Sequence, residues 1–101
     1  MAHYFAVIFT SQRREGDDDY GKWAARMDEL AASMPGYLGQ ETTRQADGLG
    51  VSVSYWESED AIAHWRKNAE HLEAQERGRT TWYHWYRVRV ARVEREYSFE
   101  R

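Results

Sequence analysis

Cysteine is missing from this chain of 101 residues, which excludes disulfides, thiolate metal sites and cysteine nucleophiles and leaves stability to packing. No apolar run approaches the roughly 20 residues needed to span a bilayer. The start MAHYFAVIFT lacks a basic n-region and a small-residue cleavage site, so a cytoplasmic protein without membrane contact is expected. A basic excess is also absent: 14 Lys plus Arg stand against 17 Asp plus Glu, a net charge of −3 with no general pull toward nucleic acid. Arg87, Arg89, Arg92 and Arg95 alternate with valines, are interrupted by Glu94, and read as the wet face of a strand. The length predicts one domain over residues 1–101, able to bury roughly two thirds of the surface of its unfolded form.

Aromatic residues, by contrast, are plentiful. Four of the five tryptophans (Trp56, Trp65, Trp82, Trp85) and three of the four histidines (His64, His71, His84) fall between Tyr55 and Tyr86. That excess suits either a flat aromatic ligand or a large buried interface.

Tyr4 to Thr10 is apolar at nearly every position, which predicts a central strand buried on both faces. Asp17, Asp18 and Asp19 can cap a helix whose stripe is Tyr20, Trp23, Ala24, Met27, Leu30, Ala31 and Met34, ended by Pro35-Gly36. Asp47-Gly48 predicts a turn joining the antiparallel strands Tyr37 to Gln45 and Val51 to Trp56. Ser58 caps a second helix with Ala61, Ile62 and Trp65 inward. Asn68 is expected to restart a short third helix with Gly78 just beyond its end, and a last strand is expected from about Thr81 to Arg95, with a bulge or a change of neighbour near Ala91. The fold class is therefore α+β, the ferredoxin-like β-α-β-β-α-β order with a four-stranded antiparallel sheet. Helices cover only one face of such a sheet, so the two-sided apolarity of the first and last strands predicts a homodimer with sheets packed face to face.

With PGYLG entering the second strand, YWESEDAIAHW across strand and helix, and a long aromatic last strand, the chain resembles the antibiotic biosynthesis monooxygenase superfamily of dimeric α+β barrels. The resemblance implies an oxygenase of quinols or polyketide anthrones that needs no cofactor, or alternatively a heme-binding or heme-degrading protein, or a non-catalytic homodimer. Heme-degrading members resemble the chain at Trp65, but their iron-ligating histidine falls at Gln75 here and their first-strand asparagine has no counterpart in Tyr4 to Thr10. A glutamine amide is a poor axial ligand.

For oxidation of an electron-rich phenol by O2, the protein must supply a base, donors for the anion and a dry cavity. His71 is the candidate base; the alternative is a surface histidine beside Glu70. Trp65, Tyr55, Gln75, Trp82 and His84 are the candidate substrate-binding residues, although Trp65 reads equally well as core. Arg79 could orient an anionic group but reads better as a solvated loop residue. No metal site is expected, because His64 and His71 lack a third ligand. The expected partners are a small aromatic substrate, O2 and a second copy of the chain.

Overall fold

The computed structural model describes residues 3–16, 20–76 and 82–101, apart from the side chains of 74–76. Its elements are β1 (Tyr4–Arg13), α1 (Tyr20–Ala32), β2 (Tyr37–Arg44), β3 (Leu49–Trp56), α2 (Glu59–Glu76) and β4 (Tyr83–Val93). The four strands form an antiparallel sheet in the order β2-β3-β1-β4. This is the ferredoxin-like arrangement, and β1, apolar on both sides, is central as its sequence requires.

Local chemistry sets the connections. Gly48, at φ 97°, donates its N–H to Gln45 O at 2.9 Å, while Gln45 N donates to Leu49 O at 2.8 Å. A three-residue hairpin loop of this kind needs a left-handed residue at its end, and glycine takes it without steric cost. Ser58 Oγ accepts the N–H of Ala61 at 3.0 Å and so caps α2, whose first turn carries Glu59 and Asp60.

Residues opposed in an antiparallel pair share a face. Phe5, Val7 and Phe9 of β1 therefore look toward the helices with Trp56 of β3 and Val88 and Val90 of β4. Tyr4, Ala6 and Ile8 look the other way, with Val53, Tyr55, Arg89 and Val93. Two apolar clusters fill the helix side: Val7, Ala31, Trp56 and Ile62 at one end, Trp23, Leu72 and Trp82 at the other. Trp56 is fully buried. Removing about 200 Å² of such a ring from water is worth roughly 5 kcal/mol at ~25 cal/mol per Å².

Three expectations are corrected. Asn68 starts no new helix: α2 is continuous, and the Asn68 amide donates back to His64 O at 2.9 Å rather than capping. The irregularity of the last strand lies at His84, which is skipped between the Gln12–Trp85 and Arg13–Tyr83 pairs, whereas Ala91 pairs regularly with Ala6. Val93 faces away from Val88 and Val90 simply because strands alternate. Trp82 precedes β4 instead of belonging to it. Asp17 to Asp19, Gly78, Arg79 and Thr81 lie outside the described residues. Among the described residues no helix is long and apolar enough to cross a membrane.

Candidate functional site

The sequence-predicted site residues do not converge. Trp65 is half-buried on the helix side and stacks on Trp56, ring centroids 5.8 Å apart and planes at 19°. Tyr55, paired with Ala6, lies on the opposite face of the sheet. Its hydroxyl donates to Glu41 Oε1 at 2.6 Å, and that bond to a carboxylate, with some desolvation, pushes the phenol up to about 12. Trp82 is core, 4.8 Å from Trp23 between ring centroids. His84, displaced by the bulge, is exposed. The side chain of Gln75 lies outside the described residues.

His71 requires a correction of place. It lies nine residues beyond Ile62, about two and a half turns in an unbroken helix, and so points away from the buried stripe. It is accordingly exposed. The ring would face the sheet only if Asn68 had reset the helix.

A groove of about 360 Å³ runs instead between α2 and β4. Ile62, Ala63 and Val90 form its apolar lining, with Glu59, Arg66, Lys67 and Glu70 around them. Arg66 Nε stands 3.9 Å from Glu70 Oε2, one turn along the helix. Val88, exposed on the same face of β4 as Val90, extends the apolar surface. An aromatic ring can lie on this floor while its polar substituents meet the charged rim. A second cleft, about 460 Å³, is lined by Gln12, Arg13, Arg14, Glu15, Asp47 and His84 and is far more polar in its residues. Among the described residues no three His, Asp or Glu side chains gather into a metal-binding group.

Sequence reasoning missed a partly buried polar network next to Trp82, anchored on the buried Ser11. Arg44 Nη2 donates to Ser11 Oγ at 2.9 Å and to Tyr20 Oη at 3.2 Å; Tyr83 donates to the same Tyr20 oxygen at 3.1 Å. Arg13 covers the Tyr20 ring at 3.9 Å and donates to Trp82 O at 2.8 Å. Burial, reinforced by the bond to Tyr20, drives the Tyr83 phenol far above its ordinary range. The signal was available: Ser11 and Gly50 are small residues opposite each other amid large ones, and they leave room for a long side chain from Arg44.

The sequence profile of the antibiotic biosynthesis monooxygenase family matches residues 4–77. The uncharacterized protein YqjZ of Bacillus subtilis is 55% identical over 97 residues, which is 96% of this chain and 85% of YqjZ. The jasmonate monooxygenase ABM of Pyricularia oryzae is 30% identical over 92 residues, covering 88% of this chain but only 43% of that longer protein. In fold, the chain is similar to SnoaB, a cofactor-independent oxygenase of Streptomyces nogalater. The TM-score is 0.72 at 14% identity, with 99% of this chain and 100% of SnoaB covered.

Proposed function

Because the chain belongs to the antibiotic biosynthesis monooxygenase family, we propose that it oxidises a phenolic or quinol-type aromatic molecule with O2 and without a bound metal, flavin or heme. The observation that carries this reading is the groove between α2 and β4, where an apolar floor meets Arg66 and Lys67 on one rim and Glu70 on the same helix. The kinship with a cofactor-independent oxygenase in fold, and with a monooxygenase in sequence, supports it.

The chemistry asks for a phenolate, the form that gives an electron to O2. A cation about 4 Å away contributes roughly 1 kcal/mol in water and about 4 at an effective dielectric of 20. At this exposed rim the lower figure applies, about 0.7 of a unit of phenol pKa. A proton acceptor is therefore also needed at neutral pH. Glu70 lines the groove; His71, the next residue in sequence and exposed, is the alternative acceptor. For a ring carbon bearing two hydrogens, CH2 plus O2 gives C=O plus H2O, so no external reductant is consumed.

Oxygen uptake with a tricyclic anthrone as probe, after exhaustive chelation, tests the reading. Uptake is expected to persist. Turnover that appears only on adding metal, flavin or heme overturns it.

A further inference from the structure

Along the groove, α2 and β4 run side by side in opposite directions. Ile62 and Val90 line it together, while Leu72 and Trp82 share a cluster against which Tyr83 packs, so advancing along α2 means retreating along β4. Eight residues of helix carry the chain about 12 Å from Ile62 to Glu70. Four residues of strand carry it about 13 Å from Val90 to Tyr86. Tyr86 therefore stands level with Glu70 across the groove. It follows Val90 and Val88 in the row of β4 residues that look toward the helices, opposite the buried Ser11.

The ring of Tyr86 is held, and its hydroxyl is not. The ring lies on Phe9, centroids 5.3 Å apart and planes at 28°, and meets Tyr83 edge-on at 5.9 Å. A tyrosine taken partly out of water ordinarily brings its hydroxyl to a partner. Tyr4 does so with Glu96, Tyr55 with Glu41 and Tyr83 with Tyr20. The hydroxyl of half-buried Tyr86 has no such partner among the described residues.

We propose that Tyr86 is a substrate-binding residue whose hydroxyl donates to the ring oxygen of a phenol lying on the valine floor, from the side of the groove opposite Glu70. This rests on the reading of the groove as the place where a phenol is oxidised, and adds to it a donor for the anion. Once Glu70 or His71 has taken the proton, the oxygen carries a full negative charge, which a fixed O–H stabilises more than it does the neutral phenol. Arg66 and Lys67 reach the rim on long, exposed stems. The Tyr86 ring is already locked by its stack, so little rotamer freedom is lost when it donates. The substrate proton goes to the acceptor; Tyr86 keeps its own and forms no covalent bond.

Binding of 4-nitrophenol, a phenol that ionises in mild alkali to a coloured anion, tests this apart from turnover, with nitrobenzene as the same ring lacking the hydroxyl. Tyr86→Phe keeps the stack and gives up no hydrogen bond among the described residues, so its Tm should equal that of the wild type. The 4-nitrophenolate anion should bind the wild type about tenfold more tightly than Tyr86→Phe, while nitrobenzene binds both alike. The bound dye should also ionise at lower pH in the wild type, because a donor favours the charged form. Equal anion affinity and equal ionisation in the two proteins overturn the proposal. So does a Tm several degrees lower in the variant, which would tie the hydroxyl to the fold. Failure of the oxygenase reading alone looks different: the dye still discriminates Tyr86 from phenylalanine, yet no oxygen is taken up with the anthrone. A wild type that binds neither ring removes both.

Discussion

The guanidinium of Arg44 passes directly over Gly50: a Cβ built on Gly50 would stand 2.6 Å from Arg44 Cζ. The missing side chain is what lets Arg44 reach the wholly buried Ser11 and the Tyr20 hydroxyl. Gly50→Ala should push the flexible arginine aside rather than break the sheet. The cost is the Ser11 hydroxyl left without its partner, about 1 to 3 kcal/mol. Urea unfolding should show the lower midpoint with an unchanged slope.

Alkaline behaviour follows from Tyr83 and Tyr55. Both phenols are raised in the folded chain, Tyr83 by burial and the Tyr20 bond, Tyr55 by Glu41 up to about 12. A raised folded value means stability that is fully present below the unfolded pKa of about 10 and lost as pH climbs toward the folded one. Tyrosinate absorbance should therefore show a late-titrating fraction, and the late step should coincide with loss of structure. Tyr83→Phe should flatten the alkaline decline. An unchanged decline in that variant would remove Tyr83 as its source.

Trp65→Ala is expected to act on stability first. The ring packs on fully buried Trp56 but is itself only half-buried, so about 3 kcal/mol is lost, at the low end for a truncated aromatic. In a domain of this size that lowers Tm by roughly 10 to 20 °C. A variant of native Tm with weakened aromatic binding would instead make the ring a ligand platform.

The proton acceptor is separable by substitution. Glu70→Gln should reduce kcat by about 10² to 10⁴ if that carboxylate serves, with His71→Ala near wild type; the reverse pattern transfers the role to His71. The pH profile adds a second readout. A rate rising through neutrality points to an imidazole, whereas a plateau already reached in mild acid points to a carboxylate.

Much of the fold was legible because periodicity and turn chemistry are local. The unbroken apolar run of β1, the Asp47-Gly48 turn and the Ser58 cap each carry their own signal, and each element lies where that signal puts it. The site was less legible because it depends on rotation and pairing. Reading Asn68 as a cap turned His71 inward, while in an unbroken α2 the same residue faces water. Tyr55 and Trp65 both read toward one pocket, yet strand parity sends Tyr55 to the open face of the sheet while Trp65, on α2, packs on Trp56 on the helix side. The small residues Ser11 and Gly50 hint at room for a long side chain, but only the register of the sheet brings Arg44, Ser11, Tyr20 and Tyr83 together.

The skipped residue in β4 works like a vernier between two scales. Were His84 in register, it would oppose Arg13 and take the inward place, and Tyr83 would turn to the open face, away from Tyr20. By standing out of line, His84 hands that inward place to Tyr83. A chain lacking His84 would reach the same pairing with no correction to make, so this position can be deleted with little loss. One residue added between Arg87 and Val93 would instead turn the arginines upstream of the insertion toward the helices and carry the error through the rest of the strand.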